Sequence, residues 1–269
     1  MKKIVFADIQ GFEPPEGDPL ADIGQVEFYY DLPTPETFLE RCNDAAVIVW
    51  GWVNITREIL DQCKALEMVL YMGIGPESQL DMKYTHSKGI TICNTPHYGD
   101  LAVAEHGIAL MFALARHVVQ GDKSMRQGQW GRFEGTELRG ATLGIVGLGG
   151  LGSELAAIGN ALGMKVICHT KRPSPERAAK HNVAFVELDE LMSTSDYIQC
   201  APVLNDETRG IIGEHELGLM KKDTYLINVS RGPVVDQEAL LKVLKEGRIA
   251  GYATDVYADE PPTNEPLAE

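Results

Sequence analysis

A chain of 269 residues, 44% of them hydrophobic, is long enough for two domains with their own cores and is not disordered in composition. Lys and Arg number 24 against 39 Asp and Glu, a formal net charge of −15. That balance argues against nucleic acid or an anionic membrane as partner, although a few cations and backbone dipoles can still hold one anionic cofactor locally. The five cysteines, Cys42, Cys63, Cys93, Cys168 and Cys200, are odd in number and show no C-x-x-C spacing. They read as free, mostly buried thiols in a reducing, cytoplasmic setting, and no metal site is expected. The start M-K-K-I-V-F-A-D lacks a long apolar run and reads as a first strand rather than a signal peptide. The longest apolar stretch, residues 107–115, is too short to span a bilayer.

In chain order, residues 3–7 predict a strand, followed by a Pro- and Gly-rich loop over 11–19. A strand at 26–30 comes next, then a helix over 35–42 with Thr34 as N-cap and Pro35 at its first position. A strand at 46–50, a helix at 56–63 and a strand at 67–71 follow. The alternation implies βαβ units on a parallel sheet. Residues 100–127 predict one long helix, with Val103, Ile108, Leu110, Met111, Leu114 and Val118 on successive turns. Such a helix could join two domains and offer an apolar face to a second subunit, or serve as a core helix of one domain.

The stretch 142–152, T-L-G-I-V-G-L-G-G-L-G, carries the sharpest signal. A buried strand at 143–146 leads into Gly147, Gly149 and Gly152 in G-x-G-x-x-G spacing, and an Ala- and Leu-rich helix at 153–162 follows. The first glycine allows a tight turn, the second a close approach of backbone to pyrophosphate, the third close packing of helix on strand. Gly150 and Leu151 complete this cofactor loop. Beyond it, strands are expected at 164–169, 183–186, 196–200, 224–228 and 250–255, and helices at 175–181, 188–193, 214–220 and 236–246. Asp236 would cap the last helix and Gly247 end it. With the strand at 143–146 this makes the six strands of a doubly wound dinucleotide domain. The fold class is therefore α/β, two Rossmann-like doubly wound parallel-sheet domains with the active site in the cleft between them.

N-T-P at 94–96, A-V-A-E-H at 102–106, the glycine turn, N-V-S-R-G-P-V-V-D at 228–236 and D-V-Y-A-D-E-P at 255–261 resemble the D-isomer-specific 2-hydroxyacid dehydrogenases. The resemblance runs from about Val69 to the end. It implies a flavodoxin-like substrate domain over 1–100, a dinucleotide domain over 101–269, and reversible hydride transfer between a nicotinamide cofactor and a small 2-keto acid, of the glyoxylate or hydroxypyruvate type. By the same resemblance Arg231 holds the substrate carboxylate and polarises the keto oxygen, a task suited to a planar, bidentate cation. Glu260 would raise the pKa of a proton-donating histidine, Asp255 would meet the nicotinamide carboxamide, and Gly73, Ile74 and Gly75 would receive the substrate carboxylate. Val229 and Thr208 fall at cofactor-lining positions. A homodimer through the 100–127 region is likewise implied.

Three departures qualify the match. The family's catalytic histidine lies in a P-H-x-G-type motif after E-P-L, and the sequence stops at Glu269 before reaching it. None of the seven histidines sits in that context. His106 reads as structural, and His97 with Tyr98 could touch substrate. The expectation is a chain lacking its natural C-terminal return segment, which binds dinucleotide but turns over poorly. Second, no acidic residue stands about 20 residues past the glycines to meet a ribose 2′-hydroxyl. Thr170, Lys171 and Arg172 stand there instead, which favours NADP over NAD. Third, the proline of the stretch over the cofactor is displaced by one, so that Pro202 and Val203 line the site. Two other readings stay open: formate or phosphite oxidation on the same fold, and a dinucleotide-sensing, corepressor-like binding protein.

Overall fold

The computed structural model describes residues 1–11, 16, 17, 20, 22–262 and 267. Most of the Pro-rich loop expected after the first strand, and the E-P of the terminal E-P-L, lie outside the described residues. The chain divides into two compact units, Met1–Tyr98 and Gly99–Glu269.

The first unit runs β1 (Lys2–Phe6), β2 (Gly24–Phe28), α1 (Pro35–Cys42), β3 (Val47–Trp50), α2 (Arg57–Gln62), β4 (Met68–Tyr71), α3 (Met82–Ser87) and β5 (Thr91–Asn94). Its strands pair in parallel in the order β2-β1-β3-β4-β5. Helix α3 and strand β5 were not anticipated. Both are short and only partly buried, so hydropathy marks them weakly. Thr34, Thr56 and Asp81 cap α1, α2 and α3 through bonds to the N–H of Thr37, Ile59 and Tyr84. Val5, Phe38, Ile48, Trp50 and Val69 lie at the centre of the core.

The second unit begins with α4 (Asp100–Ala115) and α5 (Val118–Arg126). The single helix expected over 100–127 is thus two, bent by 61° at their junction. The returning chain explains the break: Thr136 N–H takes the Ala115 carbonyl at 2.9 Å, and His117 turns into the left-handed region at φ 51°. No single helix among the described residues is long and apolar enough to cross a membrane.

There follow β6 (Thr142–Val146), α6 (Gly150–Ala161), β7 (Lys165–His169), α7 (Pro175–His181), β8 (Ala184–Phe185), α8 (Leu188–Thr194), β9 (Tyr197–Cys200), α9 (Glu214–Leu219), β10 (Tyr225–Asn228), α10 (Gln237–Lys245) and β11 (Gly251–Thr254). The six strands are parallel in the order β11-β10-β9-β6-β7-β8. That is the doubly wound dinucleotide order, with its topological switch between β6 and β9. Alternate strand residues feed two cores: Leu143, Ile145, Tyr197 and Ile227 enter one, while Val146, Ile198, Cys200 and Leu226 enter the other. Helices α4 and α6 pack together over the first. As expected, Asp236 caps α10 through the Ala239 N–H, and Gly247 follows that helix at φ 61°. All five cysteines are free thiols; burial pushes Cys63 up to about 11 and Cys168 up to about 12.

Candidate active site

The switch point of the second unit is built around its glycines. Gly147 has φ 99°, and a Cβ there would meet the backbone of Ala201 and Pro202 at 2.9 Å. Only glycine lets the turns after β6 and β9 touch. A Cβ on Gly152 would overlap the Gly147 carbonyl, and one on Gly150 would overlap the carboxylate of Asp100. Gly149 differs: nothing in the protein lies within 4 Å of where its Cβ would stand. The protein's own packing does not demand a glycine at 149, whereas a ligand approaching the backbone would. Helix α6, which begins here, has no side-chain cap, unlike α7, which Ser174 caps. Its first N–H groups and dipole are available to an anion. The turn therefore fits a pyrophosphate.

On one side of this turn, Thr170 is half-buried after β7, and Lys171 and Arg172 are exposed. Lys171 Nζ lies 2.6 and 2.5 Å from the two carboxylate oxygens of Glu207. Arg177 on α7 donates to the carbonyls of both Leu148 and Arg172, tying the glycine turn to the loop after β7. Neither Glu207 nor Arg177 was singled out from sequence. A lone arginine in a helix and a glutamate in a polar turn look like solvated surface.

On the other side lies the turn 203–208. Asn205 Oδ1 accepts the N–H of Glu207 at 2.9 Å and of Thr208 at 3.1 Å. The Thr208 hydroxyl donates to the Val203 carbonyl at 2.6 Å and accepts the Asn205 N–H at 2.8 Å. That hydroxyl closes the turn in which Thr208, an expected cofactor-lining residue, stands. Pro202 is half-buried and Val203 is exposed.

The segment after β10 is ordered by Asn228. Its Oδ1 accepts from the N–H and hydroxyl of Ser230, and its Nδ2 donates to the Arg231 carbonyl at 3.0 Å. Val229 is buried in the core, so any ligand contact it makes runs through its backbone. The Arg231 side chain is half-buried; among the described residues its guanidinium donates only to the Ser230 carbonyl, at 2.8 Å. A Cβ on Gly232 would overlap the backbone of Tyr257, so this glycine seats the S-R-G turn against the segment bearing Asp255 and Glu260. The Glu260 carboxylate accepts the Tyr257 N–H at 2.8 Å. Asp255, exposed after β11, has His106 Nε2 of α4 at 3.5 Å from its Oδ2. The histidine expected to be structural therefore neighbours an expected cofactor residue.

In the first unit, the loop after β4 is braced by the N-T-P motif. Asn94 Nδ2 donates to the Ile74 carbonyl at 2.6 Å, and Thr95 donates to the Gly73 carbonyl through its N–H at 3.1 Å and its hydroxyl at 3.2 Å. In a planar trans peptide the next N–H points opposite the carbonyl, so the Ile74 and Gly75 N–H groups are turned away from this brace. A Cβ on Gly73 would overlap the Tyr71 ring.

Asp189, His215 and Glu216 place their ligand atoms within 4.8 Å of one another. They stand on the first turns of α8 and α9, where helix dipoles disfavour a cation.

A parallel sheet of this order, with its glycine turn at the switch point and an uncapped helix behind it, defines a dinucleotide-binding protein. Residues 108–269 match the model of the D-isomer specific 2-hydroxyacid dehydrogenase NAD binding domain, and the chain belongs to that family. It is 39% identical to a glyoxylate reductase of Aeropyrum pernix over 86% of this chain and 72% of that one. It is 36% identical to a D-3-phosphoglycerate dehydrogenase of Methanocaldococcus jannaschii over 92% of this chain, and spans 48% of that relative's length. Among solved structures, an acyclic imino acid reductase, Bsp5, in complex with NADPH and D-Arg superposes with a TM-score of 0.88 at 31% identity, covering 97% of this chain and 85% of that one.

Proposed function

We propose that the protein catalyses reversible hydride transfer between a nicotinamide dinucleotide, NADP(H) in preference to NAD(H), and a small 2-keto acid or D-2-hydroxy acid. The observation that carries the reading is Arg231. The Arg231 backbone is held by the Asn228 side chain and seated by Gly232, while its half-buried guanidinium has only its neighbour's carbonyl as partner among the described residues. Its planar fork suits an α-keto carboxylate. The bound dinucleotide would supply or accept the hydride. Gly147, Gly149, Gly150, Leu151 and Gly152 would cradle its pyrophosphate, Asp255 would orient the carboxamide, and the Ile74 and Gly75 N–H groups would help receive the substrate carboxylate. Glu260 would hold a proton-donating histidine in its charged form. Thr170 and Arg172 support the NADP preference, since a carboxylate at that place would repel a 2′-phosphate.

The test is a panel of 2-keto acids followed by the absorbance of the reduced cofactor. Arg231→Gln should lower kcat/KM by about 10²–10³-fold while the cofactor Kd stays within about twofold. Equal loss of cofactor binding would place Arg231 outside substrate recognition. Tighter binding of NADH than of NADPH would reverse the cofactor preference.

We infer a cytoplasmic homodimer as well, supported by the free thiols and by exposed Phe112, Val118, Val119, Met125, Trp130 and Phe133 on α4, α5 and the segment after them. A monomer in sedimentation at micromolar concentration would defeat the dimer.

A further inference from the structure

We propose that Glu207 is a specificity-determining residue, a carboxylate that competes with a ribose 2′-phosphate for Lys171 and so restrains the preference for NADP(H). The inference rests on the reading of the glycine turn as the dinucleotide site. In the sheet, β6 lies between β9 and β7. The loops after β9 and β7 therefore flank the glycine turn. Lys171 belongs to one and Glu207 to the other, and their ion pair joins the two.

Both oxygens of Glu207 face Nζ, at 2.6 and 2.5 Å, so the whole carboxylate engages the lysine ammonium. Glu207 is also held in place. Its N–H is fixed by Asn205, and the turn around it is closed by the Thr208 hydroxyl. The family's usual place for an acidic residue, the end of the second strand, holds Thr170 here. In this chain the carboxylate reaches that neighbourhood from residue 207, which lies 36 positions from Lys171.

The two cofactors meet this carboxylate differently. A 2′-hydroxyl can donate a hydrogen bond to it. A 2′-phosphate is repelled by it and must displace it to reach Lys171. Arg172, with no side-chain partner among the described residues, stays available to phosphate, so its charge and that of Glu207 pull in opposite directions.

The experiment measures NADPH and NADH dissociation constants by fluorescence of the reduced nicotinamide, in wild type, Glu207→Gln, Lys171→Met and the double variant. Glu207 is exposed, and a thermal melt checks that each variant folds. Glu207→Gln should tighten NADPH about fivefold and leave NADH unchanged or weaker. Lys171→Met should weaken NADPH more in the Glu207→Gln background than in wild type. If both dissociation constants move by the same factor, or neither moves, Glu207 has no part in selectivity and the proposal falls. If wild type binds neither dinucleotide, the reading of the glycine turn itself fails, which is a separate result.

Discussion

The two units solve the same architectural problem in opposite ways. Each has a parallel sheet whose strand order reverses beside the first strand, between β1 and β3 in the first unit and between β6 and β9 in the second. A crevice with converging N–H groups arises at such a point. In the first unit the protein fills it with its own anion. The fully buried Asp8 carboxylate accepts the N–H of Gly51 at 2.7 Å, Trp52 at 2.9 Å and Val53 at 2.7 Å. Burial pushes this carboxyl up from its ordinary range, against the pull of those three donors. In the second unit the corresponding turn carries glycines and no side-chain cap. One switch point is filled by a side chain of the protein, and the other carries no side-chain cap.

The sharpest way to break that contrast is Asp8→Ala. It strands three inward-facing N–H groups and should lower stability by about 3 kcal/mol or more in urea unfolding, with wild-type cofactor affinity for the molecules that remain folded. A loss under about 1 kcal/mol would show that the carboxylate does not hold this loop. Next comes a pair of glycine substitutions. Gly149→Ala should leave the melting temperature in place and weaken dinucleotide binding by about 100-fold, because its Cβ meets nothing in the protein and would stand against a bound pyrophosphate. Gly152→Ala should instead lower stability by about 1–3 kcal/mol, because its Cβ overlaps protein backbone. Equal behaviour of the two would erase the distinction between ligand-facing and protein-facing glycines.

The smallest effect is expected at Asp196, which anchors the start of β6 through the Thr142 N–H at 2.7 Å and pairs with Lys221. Burial alone would raise its pKa, but Lys221 and the Thr142 N–H outweigh it and hold the carboxyl below its ordinary range. A depressed folded-state pKa contributes stability that is complete above the unfolded value, about 4, and is lost as pH falls through the folded value. Asp196→Asn should therefore cost about 1 kcal/mol at neutral pH, and the gap to wild type should close below about pH 4. A gap that persists in acid would mean that the ionised carboxylate is not what holds β6.

Much of this molecule was legible in local pattern. The six strands of the second unit, the Thr34 and Asp236 caps and the glycine turn all depend on residues a few positions apart. The errors had local causes too. The α4–α5 break could not be read from an apolar run, because the returning Thr136 N–H ends α4. Strand β5 is too short and too exposed to show alternation.

Spacing along the chain was enough to determine the fold class and the glycine turn, because turn geometry, capping and buried strands are governed by neighbours in sequence. Tertiary structure alone decided that Asp8 would close one switch point, that Arg177 would hold Leu148 from 29 residues away, and that Glu207 would meet Lys171. Those groups come together because the order of strands in the sheet, rather than their order in the chain, sets which loops share an edge.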